Sequence, residues 1–128
     1  MSYHFSKTIN APFDEAISRV TDELKKEGFG ILTDIDVKAT LKKKLDVEFR
    51  NYRILGACNP PFAYEALQKE DKIGTMLPCN VIVQEVSAGV CEVSAIDPVA
   101  SMMAVENPSL GGVATQVQAK LKKVIESL

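Results

Sequence analysis

The sequence predicts an α+β fold: a two-layer sandwich in which a mostly antiparallel sheet carries helices on one face. Three observations lead there. Short apolar segments recur at strand spacing along the chain, with helical spacing between them. Cys79–Val86 and Val90–Ile96 are joined by the short turn Ser87-Ala88-Gly89, so the second returns antiparallel to the first. The whole order reads β-α-β-α-β-α-β-β-α-α, which belongs to the α+β class. The chain is expected to be a single domain over residues 1–128.

The elements follow in order. Tyr3, Phe5 and Ile9 alternate loosely with polar neighbours and mark a first strand. Pro12 sits where a helix tolerates a missing N–H, Asp14 and Glu15 lie near its positive end, and Phe13, Ile17, Val20 and Leu24 make one apolar stripe. Gly28 is the expected stop. Phe29–Ile35 is a second strand, and Asp36 caps a short helix with Val37, Leu41 and Leu45 as its apolar stripe. Phe49–Ala57 is a third strand. Asn59-Pro60 then has the grammar of an N-cap followed by a first-turn proline, opening a helix through Phe62, Ala66 and Leu67. Lys72–Pro78 reads as a loop with Ile73, Met76 and Leu77 tucked inward. Asp97-Pro98 repeats the cap-and-proline grammar, and Ser109 caps a last helix whose apolar positions run from Leu110 to Leu128. Gly111-Gly112 would let that helix approach another backbone closely.

Composition removes several functions. Fifteen Lys and Arg against 17 Asp and Glu leave a net charge of −2. No basic excess exists to neutralise phosphates, so nucleic acid is not an expected partner, and Lys42, Lys43 and Lys44 read as a solvated face. No window approaches the roughly 18 apolar residues of a membrane span, so no membrane is expected either. The start lacks a basic-then-apolar secretory signal, and three cysteines are too few and odd for a disulfide framework. The expected location is cytoplasmic, with reduced thiols.

Three motifs combine local grammar with reactive atoms: Gly56-Ala57-Cys58-Asn59-Pro60-Pro61, Leu77-Pro78-Cys79-Asn80 and Ala95-Ile96-Asp97-Pro98. The first and third lie where a strand passes into a helix, the second where a strand starts. If their strands are neighbours, the three meet at one edge of the sheet. Cys58, Asn59, Cys79, Asn80 and Asp97 are therefore the candidate ligand-binding residues. Cys58 precedes a helix N-terminus, where a thiolate is favoured and could act as nucleophile, redox sensor or soft metal ligand. The plainer role is a small buried hydrophobe closing the strand. Cys79 has the same two roles, and its distance from Cys58 matches no Cys-x-x-Cys spacing. Cys91 reads as core. Asn59, Asn80 and Asp97 either cap backbone or form a small polar cluster that orients a ligand. His4, the one histidine, reads as a solvated or structurally paired residue. The residues match no nucleophile elbow, phosphate loop or dinucleotide pattern, and they name no metal site and no cofactor.

Taken together and in this order, after Gly28-Phe29-Gly30-Ile31-Leu32-Thr33, these motifs resemble the domain of unknown function 302 family, over nearly the whole chain. The resemblance implies a small bacterial or archaeal α+β domain with a TATA-binding-protein-like architecture, dimeric and without an established activity. It transfers no catalytic role to any residue here. Two functional readings stand side by side: a non-enzymatic domain that forms a homodimer and binds a small ligand near the Cys58-Asn59-Pro60 and Cys79-Asn80 motifs, and a thiol-based enzyme or metal site centred on Cys58 with Cys79 and Asp97.

Overall fold

Residues 2–128 are described by a computed structural model. Five strands form one sheet: β1 (His4–Asn10), β2 (Gly30–Asp36), β3 (Tyr52–Cys58), β4 (Cys79–Ser87) and β5 (Val90–Ile96). Their order is β1-β5-β4-β3-β2, and every neighbouring pair is antiparallel. The helices are α1 (Phe13–Lys26), α2 (Val37–Leu45), α3 (Pro60–Lys69), α4 (Pro98–Ser101) and α5 (Gly111–Glu126), with 3-10 turns at Asp71–Met76 and Pro108–Leu110.

The two-residue period of a strand decides which face is buried. Leu55 and Ala57 of β3, Cys79, Val81 and Val83 of β4, and Cys91, Val93 and Ala95 of β5 share one face, and all are buried. Against them pack Ala16, Val20 and Leu24 of α1 and Val113, Val117, Leu121, Val124 and Ile125 of α5. Each large aliphatic side chain so buried contributes roughly 1.5–3 kcal/mol. On the opposite face one row runs through the register: Ser6, Ser94, Ile82, Ile54 and Ile35. Its β1 end is polar, where Ser6 and Ser94 share a 2.7 Å hydroxyl–hydroxyl hydrogen bond and His4 Nδ1 meets Ser6 Oγ at 2.7 Å. On the helix-facing side at the β2 edge, where Arg53 pairs with Val83 and Asp34 with Leu55, Arg53 donates from Nε to Asp34 Oδ1 at 2.7 Å. That hydrogen bond holds the Asp34 carboxyl below the usual carboxylate range.

Local grammar is obeyed at several junctions. Gly28 takes φ +88° just past the end of α1. Asp36 accepts from Ala39 N at 2.9 Å and so caps α2. The β4–β5 turn is closed by Gly89 at φ +73°. Elsewhere the structure departs from expectation. The α2 stripe buries nothing: no residue of that helix is buried, and Leu45 is 66% exposed. Residues 71–76 form a 3-10 turn rather than an open loop, with Ile73 buried and Met76 partly exposed. Asn107 rather than Ser109 caps the turn before α5, its side chain accepting from Ser109 N at 3.1 Å. Gly111 and Gly112 make no close approach, since a Cβ on either meets nothing within 4 Å. Among the described residues, no helix is long and apolar enough to cross a membrane.

Candidate functional site

Ala57 and Cys79 are paired across β3 and β4, so the end of one strand and the start of the other lie side by side. Cys58 is the next residue on β3, and Asn59 leads directly into α3. The sheet here does not close tightly against the helices. A cavity of about 330 Å³ lies between the β3–β4 end, α3 and α5. Ala57 and Cys79 line it from the sheet, Phe62, Ala63 and Ala66 from α3, and Val113, Ala114 and Val117 from α5, while Leu32 and Met102 complete the rim. Cys58 and Asn59 also line it. No lining residue carries a charge.

Three of the five candidate residues thus gather at one cavity. Cys58 is half-buried and Cys79 is buried. Asn59 occupies the N-cap position of α3, but its side chain caps nothing. The physical reason is in the sequence: an N-cap side chain pairs with the N–H of the second or third helical residue, and Pro60 and Pro61 supply none in the first two. The Asn59 amide turns instead to the end of α1, where Nδ2 donates to Glu27 O at 3.1 Å. Gly28 makes room for this bond, because a Cβ there would stand 3.1 Å from Asn59 Nδ2.

The other two candidates lie apart from the cavity. Asn80 alternates to the opposite side of β4 and lines a separate hollow of about 240 Å³ with Thr75, Met76, Ile96 and Ser101. Asp97 is occupied: Oδ1 accepts from Val99 N at 3.0 Å and from Gln118 Nε2 at 3.0 Å, and Oδ2 accepts from Gln118 Nε2 at 3.2 Å. Its neighbour Pro98 reaches the cavity in its place. Cys91 is fully buried, as read from the sequence, and its Sγ donates to Ala11 O at 3.4 Å. Sequence reasoning missed the cavity walls. The available signal was small side chains at inward positions: Ala63 and Ala66 on α3 and Ala114 on α5 leave space that Leu or Phe would fill.

The Cys79 thiol is not matched to nucleophilic work. Burial, assisted by the nearby Cys58, pushes the Cys79 thiol up to about 11, so it stays neutral near pH 7. Pro60 and Pro61 remove two donors that an anion beside the start of α3 would use. Among the described residues no group of three or more His, Cys, Asp and Glu side chains could hold a metal ion. A raised folded pKa means that the stabilising protonated form is fully present below the ordinary thiol pKa and is lost as pH rises toward 11. Two units correspond to about 2.7 kcal/mol at most. Urea melts between pH 8 and pH 11 should therefore show a fall that shrinks in Cys79→Ala; equal falls in both proteins would contradict it.

The family model described as "Domain of unknown function DUF302" matches residues 5–128. The chain belongs to the DUF302 family. All five strands except the first residue of β1, and every cavity residue, fall inside the matched DUF302 segment. A similar solved structure is the crystal structure of an uncharacterized conserved DUF302 protein from Bacillus stearothermophilus. It is 26% identical, with a TM-score of 0.89 and 98% of each chain covered. None of the curated proteins compared with this DUF302 chain matches it.

Proposed function

We propose that this domain is a binding protein rather than an enzyme, and that it holds a small apolar ligand in the cavity beside Cys58, Asn59 and Cys79. The observation that carries this reading is the cavity itself. Its volume of about 330 Å³ lies in the range of small-molecule sites, roughly 300–1,000 Å³, and apart from Asn59 its walls are aliphatic, aromatic and sulfur-bearing side chains without a charged acid–base pair. Water in such a space makes few hydrogen bonds, so an apolar guest gains by displacing it. A neutral fluorescent hydrocarbon amine, N-phenyl-1-naphthylamine, tests this. It should bind with one-to-one stoichiometry and increased emission, and Ala114→Phe should reduce the affinity at least tenfold by filling the space. An unchanged affinity in Ala114→Phe would place the dye elsewhere and remove the reading.

The same domain is proposed to pair with a second copy of itself in a reducing, cytoplasmic setting. The support is the β2 side of the sheet. β2 is an edge strand, and edge backbone invites pairing. Leu32 and Ile35 stand exposed along it, Leu45 at the end of the following helix and Val47 just beyond that helix, and isologous two-fold pairing is the commonest way to cover such a surface. Light scattering at micromolar concentration should report a dimer that Ile35→Lys weakens; a monomer at that concentration would refute self-association. Three free cysteines suit a reducing compartment.

A further inference from the structure

We infer that the cavity recognises a single neutral hydroxyl on its ligand through Asn59 Oδ1, which makes small apolar alcohols and phenols its ligand class. This rests on the binding function proposed above. Asn59 is the one lining residue with a side-chain N or O atom, and it is only 8% exposed. Its amide is not free to turn. Nδ2 is committed to Glu27 O, which leaves Oδ1 as the amide's unpaired atom. Among the described residues Oδ1 receives no hydrogen bond, and none of the sealed-off side-chain N or O atoms lacks a partner. Oδ1 is therefore accessible rather than sealed off, on a residue that lines the cavity.

The chemistry of the visitor follows. A carbonyl oxygen needs a donor. A pure hydrocarbon in the cavity would strip water from Oδ1 and put nothing in its place, at the cost of a desolvated acceptor. A carboxylate cannot donate and would be buried with no cation among the lining residues, while an ammonium would find no carboxylate. A hydroxyl donates, carries no charge, and also accepts. The first N–H of α3 belongs to Phe62, after two prolines, and no side chain caps it, so a donor for the hydroxyl oxygen stands at the same helix start.

The test uses three probes with one skeleton, 4-ethylphenol, ethylbenzene and 4-ethylbenzoate, titrated into the intact protein at pH 7 and followed by heteronuclear NMR. The expected result is that 4-ethylphenol shifts the Asn59 side-chain amide together with the Val113 and Val117 methyls, whereas ethylbenzene shifts only the methyls. 4-Ethylbenzoate should bind at least tenfold more weakly than the phenol. In Asn59→Leu the phenol should lose about tenfold in affinity while ethylbenzene loses none. If that variant does not fold, the wild-type shifts alone decide. Methyl shifts with an unmoved Asn59 amide, or equal losses for phenol and ethylbenzene, would overturn the hydroxyl assignment and leave the cavity reading intact. Methyls unmoved by every probe would overturn both.

Discussion

Gly56→Ala is expected to destabilise the protein by about 3 kcal/mol, the upper end of what overpacking costs in a closed interior. Gly56 pairs with Thr33 on β2 and Asn80 on β4. Its side faces away from the helices, yet it is buried, because Thr33 and Pro78 close over it. A Cβ at this position would stand 2.7 Å from Pro78 Cγ and collide outright with Thr33 Oγ1. The register shift between Ile31 and Thr33 is what brings Thr33 opposite Gly56. Gly111→Ala is the matched control. A Cβ at Gly111 meets nothing within 4 Å, and alanine there should stabilise by up to about 1 kcal/mol through helix propensity. Urea unfolding of both variants checks the pair. A Gly56→Ala midpoint equal to wild type would show that β2 moves aside at no cost.

Leu121→Ala is expected to cost about 2–5 kcal/mol. Leu121 is fully buried on the face of α5 that joins the core shared by the sheet and α1. Truncation removes apolar burial and leaves a void between packed layers, and the surrounding strands cannot collapse to fill it. Leu45→Ala, on the exposed α2, should stay within about 0.5 kcal/mol. Thermal and urea unfolding of the two variants separate the cases, and comparable losses would mean that α2 contributes to the core after all.

The contrast between Leu121 and Leu45 explains how much of the fold was legible. Periodicity identified both helices, because an apolar stripe of period 3.6 is a local property of the chain. Burial of the stripe depends on a partner, and sequence alone names none. The α1 and α5 stripes meet the sheet, while the α2 stripe meets little. The antiparallel hairpin, Gly28 and the Asp36 cap were legible because turn and cap chemistry is short-range. The site divides the same way. Cys58, Asn59 and Cys79 were found by motif and do share a cavity. Asn80 follows Cys79 and so faces the other side of β4, a consequence of strand alternation that the motif itself conceals. The diverted amide of Asn59 needed two facts at once: prolines at both first helical positions, and a carbonyl from a segment 32 residues away. Gly56 looked like a motif residue and proved to be a steric requirement, legible only once β2 and Pro78 are in place.

The position of β1 has a kinetic consequence. β1 lies beside β5, and the Ser6–Ser94 hydrogen bond spans 88 residues. Closing so long a loop costs entropy before any contact repays it, and such topologies fold slowly for their size. β2 and β3 can pair as soon as both exist, and β4 and β5 form a local hairpin. β1, by contrast, has no strand to join until β5 has been made, and the α1 stripe lacks its α5 neighbours until later still. During synthesis the chain therefore carries its first strand and first helix with an incomplete core, and the order of the sheet makes that end of the molecule the last to be secured.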